Sequence, residues 1–136
     1  MPNEIDSKKK ILVVDDDRNI TDLTQIILET SGYDCQVVNS GRGCIKLLEE
    51  SQKSDNKEGF DLILLDVAMP GFSGLDVVSK IKEHGFFPLN RVVFFTASTS
   101  TILDEAELKK MGVLDCFRKP FRKPDLLSAV QRYVSS

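Results

Sequence analysis

Cysteine is scarce in this sequence and poorly spaced for either of its structural uses. Cys35, Cys44 and Cys116 are odd in number and no pair is spaced C-x-x-C, which excludes a disulfide framework and a cysteine-ligated zinc site. They read as small buried hydrophobes in a reducing compartment. Long apolar runs are missing too. None approaches the ~18 residues of a membrane helix, and the opening MPNEIDSKKK has no apolar stretch of a signal peptide. A cytoplasmic protein without membrane insertion is expected. Nor is positive charge in excess: 18 basic against 21 acidic side chains leave a net −3, which argues against nucleic-acid or anionic-membrane binding through bulk charge. Phosphate-cradling glycine loops are absent as well. Gly41-Arg42-Gly43 opens a G-x-G, but Lys46 stands where the third glycine belongs, and no Walker lysine motif exists.

What is present is enough apolar residue, 41% of 136 residues, to fill one core without covalent staples. Four short apolar runs, 11–14, 62–65, 92–95 and 113–117, predict buried strands, and the half-polar run 35–38 suits an edge strand. The unbroken character of ILVV, LILL and VVFF points to strands covered on both faces, as in a parallel sheet. Between them, helical spacing recurs over 20–30, 44–48, 75–81, 102–111 and 126–134, with Ser40 as a cap and Gly112 as a stop. Strand and helix alternate five times. That order predicts an α/β fold with helices on both faces of a parallel sheet. The polar stretch 51–59 is read as one long exposed loop.

In such a sheet, ligands gather at the carboxyl ends of the strands. The first predicted strand ends in Asp15-Asp16-Asp17, the third in Asp66, the fourth in Thr96 and the fifth in Lys119. Taken singly, each could be a helix cap or a surface charge, and Asp17 is read as such a cap. Together they converge on one rim. Several carboxylates in one crevice repel each other unless a cation screens them. Mg²⁺, a hard ion that keeps several waters, answers that need. A carboxylate beside a divalent ion and a lysine ammonium is placed to attack a phosphoryl group, with a hydroxyl at Thr96 able to bond a phosphate oxygen. The cluster reads as a phosphoacceptor site.

These pieces, ILVVDDD at 11–17, LILLDVAMPGFSG at 62–74, FFTAS at 94–98 and RKPF at 118–121, resemble the receiver domain of two-component response regulators from about Lys9 to Val134. The resemblance implies a flavodoxin-like (βα)5 doubly wound parallel sheet of strand order 2-1-3-4-5. It implies that Asp66 accepts phosphate from a phosphohistidine of a sensor histidine kinase or phosphotransfer protein. Mg²⁺ would be held by Asp15, Asp16, Asp66 and the backbone carbonyl of Ala68. Lys119, before a cis peptide to Pro120, would pair with phosphoryl oxygens, and Thr96 would follow the phosphate. The implied role is a signalling switch rather than an enzyme, acting on a downstream protein target, with a phosphorylation-dependent homodimer as a further partner and no direct nucleic-acid contact. Residues 1–8 are expected as a disordered or extended lead and 9–136 as the receiver, with no output domain in the chain.

One position departs from the family pattern. Three residues before the lysine, where the family has Tyr, Phe or His, stands Cys116, and a thiol cannot report by swinging a ring. Phe117 follows, but period 2 turns it to the other face. Ala68 and Ser98, where the family tunes phosphate lifetime, are both small.

Competing readings fail on particular residues. A haloacid-dehalogenase-type phosphatase would use Asp15 and Asp17, yet Asn19 replaces the Thr or Val of that motif and no late acidic pair follows. D-x-D-x-N at 15–19 begins like a calcium loop, but its sixth and twelfth positions are Ile20 and Ile26. The lone His84 is a surface residue, not a phosphohistidine. From Lys109 onward seven basic residues face two acidic ones, read as solvated helix faces with Lys119 drawn into the site.

Overall fold

The computed structural model describes residues 8–53, 59–85, 87–97 and 105–135. Strands β1 (Lys10–Val14), β2 (Asp34–Val38), β3 (Leu62–Asp66), β4 (Val92–Ala97) and β5 (Asp115–Lys119) alternate with helices α1 (Arg18–Thr30), α2 (Gly41–Lys53), α3 (Gly74–His84), α4 (Glu105–Met111) and α5 (Lys123–Ser135). The strands form one parallel sheet in the order β2-β1-β3-β4-β5. This is the architecture the alternating pattern predicts. The central strand β3 is buried at every position, while the edge strands β2 and β5 carry partly exposed residues, as an unpaired edge permits.

Alternation of side chains splits the apolar residues into two cores. Leu12, Val14, Ile63, Leu65 and Phe94 pack with Cys44 and Leu48 of α2 and with Val77, Val78 and Ile81 of α3. Ile11, Val13, Leu62, Leu64 and Phe95 face α1 and α5 instead. Consecutive apolar residues in ILVV thus serve opposite layers, which is why those runs show no polar alternation.

Several boundaries differ from the sequence reading. Residues 51–53 of the expected long loop continue α2, and residues 54–58 lie outside the described residues. β5 lies two residues later than the apolar run at 113–117, because its ladder to β4 pairs Val93 with Asp115 and Ala97 with Lys119. Val113 is buried ahead of the strand instead. Of the expected helix at 102–111, the described part is α4, closed by Gly112 at φ +86°. The lead at 1–8 lies outside the described residues apart from Lys8, which is exposed and without regular structure. Cys35 and Cys44 are buried as expected, whereas Cys116 is only partly so. Burial pushes the first two thiols up to about 12, which leaves them protonated and inert. Among the described residues no helix is long and apolar enough to cross a membrane.

Local chemistry fixes where helices begin. Asp17 caps α1, its carboxylate accepting from the Asn19 N–H at 2.9 Å. Ser73 and Asp76 form a reciprocal capping box on α3. Gly74 packs its Cα against the Asp66 carbonyl and the Val67 backbone, leaving no room for a side chain. That contact seats the start of α3 directly behind the last residue of β3. A Gly74→Ala substitution is expected to lower unfolding free energy by about 1–3 kcal/mol through overpacking. Denaturant titration checks this, and an unchanged midpoint would contradict it.

Candidate functional site

The carboxyl ends of β1, β3 and β5 bring four of the expected residues into one cluster. Asp15 is the first residue beyond β1 and fully buried, Asp66 ends β3 and is 4% exposed, and Asp16 is exposed at the rim. The carboxylates of all three can present oxygens within 4.8 Å of one another. Lys119, the last residue of β5, reaches across β4 and β3 to donate to Asp15 Oδ2 at 2.8 Å, and lies 3.7 Å from Asp66 Oδ1. The peptide joining Lys119 to Pro120 is cis.

Local geometry holds each carboxylate. The N–H of Asp17 donates to Asp15 Oδ1 at 3.0 Å, so the turn into α1 also orients the buried acid. The N–H of Ala68 donates to Asp66 Oδ1 at 3.3 Å. Asn39, which sequence reasoning passed over, donates from Nδ2 to the Asp15 carbonyl at 2.9 Å and to Thr21 Oγ1 at 3.0 Å. Its signal was available, since Asn39 is the polar residue directly after β2. Among the described side chains, β1, β2, β3 and β5 are each seen to end in or lead into a polar or charged residue at this rim. Thr96 lies in β4, one residue beyond the position paired with Asp66, and opposite Arg118 of β5. The side chain of Thr96 and all of Ser98 lie outside the described residues. Cys116 packs toward the core beneath α2 and α3, and Phe117 toward the one beneath α1 and α5, as period 2 requires.

Electrostatics follow from this crowding. Three carboxylates face one ammonium. Burial, reinforced by the neighbouring charge of Asp15, pushes the Asp66 carboxyl up to about 7, with Lys119 and the Ala68 N–H pulling the other way. Burial opposes the charge on Lys119, but the Asp15 hydrogen bond and the charges of Asp15, Asp66 and Asp16 outweigh it and raise its pKa. A set of hard oxygen donors with unbalanced negative charge fits a hard divalent cation. It does not fit a soft thiolate metal, since no cysteine joins the cluster.

The sign of the Asp66 shift has a consequence for stability. A carboxyl raised from 3.8 to about 7 binds its proton more tightly in the folded state, so its stabilising contribution is full below pH 3.8 and is lost as pH rises toward 7. Asp66→Asn removes that liability. In metal-free buffer it is expected to raise stability by on the order of 2 kcal/mol above pH 7, with the gain shrinking toward pH 4. Thermal unfolding across this range checks it, and a gain that grew on acidification would contradict the assignment.

A family model described as "Response regulator receiver domain" matches residues 11–131. A CpxR homolog from Haemophilus influenzae, described as a transcriptional regulatory protein, is 33% identical over 90% of this chain and 48% of its own length. The DNA-binding response regulator MtrA of Mycobacterium tuberculosis is 31% identical, over 91% of this chain and 50% of its own. The chain spans about half the length of these curated relatives. Among solved structures, the chemotaxis protein CheY4 of Vibrio cholerae superposes with a TM-score of 0.75 at 26% identity, covering 93% of this chain and 99% of that one. A CheY-like receiver domain protein of Methanospirillum hungatei superposes with a TM-score of 0.76 at 27% identity, covering 93% and 94%. With a receiver model matched over most of its length and the five-stranded order those folds share, the chain belongs to the response regulator receiver domain family.

Proposed function

We propose that this chain is a phosphorylation-dependent signalling switch in which Asp66 accepts a phosphoryl group from the phosphohistidine of a sensor histidine kinase or phosphotransfer protein. The observation that carries the reading is the Lys119 ammonium, 2.8 Å from Asp15 and 3.7 Å from Asp66, at the buried end of three strands. An Asp66 oxygen attacks phosphorus, a P–O bond forms, and the P–N bond breaks with its electron pair leaving on the imidazole nitrogen. The Ala68 N–H orients the attacking carboxylate. Lys119 is already poised to neutralise the phosphoryl oxygens, so catalysis is mostly positioning and charge. Asp15, Asp16, Asp66 and the Ala68 carbonyl would hold Mg²⁺, which when bound supplies further neutralisation of phosphoryl charge. Thr96 supplies the hydroxyl that follows the phosphate. The chemistry is confined to the chain's own carboxyl, as befits a signalling domain.

Residues 9–136 form the receiver in this reading. The new charge at Asp66 biases a two-state surface around α4 and β5, which a downstream protein target or a second copy reads. The basic residues after Leu108 lie in and around those elements. Direct nucleic-acid contact is not assigned to these residues, given the net charge of −3. DNA binding belongs to the description of relatives twice as long. A cytoplasmic location accords with the three free thiols.

With Mg²⁺ and acetyl phosphate, the wild-type chain is expected to gain one acid-stable, base-labile phosphate and Asp66→Asn none. Mass spectrometry after acid quench checks this; phosphate on Asp15 would favour the phosphatase reading, and equal labelling of both proteins would refute the site. Cys116→Tyr should change affinity for the phosphorylated form's partner while leaving Mg²⁺ affinity intact, measurable by calorimetry. Unchanged partner binding would contradict a switching role for that position.

A further inference from the structure

Beneath the cluster lies a feature the phosphoacceptor chemistry does not itself require. Phe95 of β4, Phe117 of β5 and Phe121, two residues beyond Lys119, form a three-ring stack. Phe95 lies nearly parallel to both others, at centroid distances of 5.6 Å and 5.4 Å, and Phe117 is 6.1 Å from Phe121. The rings come from two strands and the segment after the second. They bracket Lys119 in sequence, and period 2 puts Phe117 and Lys119 on one face of β5. The Lys119 ammonium lies 5.9 Å from the Phe95 centroid, within cation–π range. Its side chain is only 15% exposed.

We infer that Phe95, Phe117 and Phe121 are positioning residues that hold the Lys119 ammonium in its bridging place between Asp15 and Asp66. Lysine carries its charge on a flexible four-carbon stem and loses considerable rotamer freedom when fixed. Asp15 and Asp66 attract the ammonium by charge, at 2.8 Å and 3.7 Å. The Phe95 ring, stacked against the other two, adds a cation–π attraction on the same ammonium. Phe121 packs the segment that follows Lys119 onto Phe95 and the core, and Phe95 is the ring within cation–π range of the ammonium. A purely structural role is the competing account, since Phe117 and Phe121 also pack at the margin of the core beneath α1 and α5. The two accounts differ in what happens to Lys119 when a ring is replaced by an aliphatic chain. Partly exposed Phe117 and Phe121 are safer sites to test than Phe95, which is fully buried.

The kinetic part of the test rests on the phosphoacceptor reading, whereas the spectroscopic part does not. In the full chain, the ¹⁵N-labelled ammonium of Lys119, assigned by its loss in Lys119→Ala, is expected as a slowly exchanging NMR resonance. Phe121→Leu and Phe117→Leu should broaden or abolish it, and Phe121→Tyr should restore it. Labelling by acetyl phosphate with Mg²⁺ should slow roughly threefold to tenfold in the two leucine variants, with Mg²⁺ affinity unchanged. A resonance and a rate both unaffected in the leucine variants, with only a lower Tm, would overturn the inference. So would a wild-type ammonium exchanging too fast to observe. A wild-type chain that takes no label would refute the phosphoacceptor reading alone, and the resonance would still decide the role of the rings.

Discussion

Charge crowding at one end of the sheet is the constraint around which the rest of the structure is arranged. Asp15 and Asp66 are buried side by side, and a single ammonium, that of Lys119, reaches both. Buried like charges of this kind are destabilising unless paired. The fold therefore has to hold Lys119 in place from the far edge strand, across β4 and β3. Its ammonium donates to the deepest carboxylate and lies within cation–π range of the Phe95 ring. The crowding costs folding stability, and perturbed carboxyls of this kind are concentrated at functional sites.

The two apolar cores supply the rigidity that this crowding needs. Because β1, β3 and β4 are sealed on both faces, their ends cannot drift to relieve the repulsion. The loops leaving those ends are fixed by their own backbone. Asp17 serves α1 as a cap and offers its N–H to Asp15, so one short turn starts a helix and orients an acid. Gly74 lets α3 begin against the Asp66 carbonyl itself. Asn39 ties the end of β2 to the Asp15 backbone and to Thr21 of α1. Small local interactions thus set the angle at which each functional group meets the rim.

Much of this was legible in the order of residues. ILVV, LILL and VVFF marked the three interior strands because a strand covered on both faces has no polar side to show. The polar residues directly after them marked the rim, and chain order placed Asp15, Asp16, Asp66 and Lys119 there. Edges were harder to read. The apolar run at 113–117 starts two residues ahead of β5, because Val113 is buried yet precedes the strand, which begins at half-buried Asp115. Residues 51–53 have the polar composition of a turn, yet they extend an exposed face of α2. Asn39 was overlooked because strand β2 shows little apolar character to point past.

The sequence by itself determined the alternation of strand and helix, the depth of the central strands and the identity of the groups at their ends. Those follow from hydrophobic period and from which residues interrupt it, and both are local properties. Only the tertiary structure decided which groups touch. That Lys119 bonds Asp15 rather than Asp16, that burial carries Asp66 to about 7, and that Phe95 of β4 stacks with Phe117 and Phe121 near the ammonium depend on strand register and burial. Register and burial are set by the whole sheet closing on its two cores, and no segment of the chain holds that information alone.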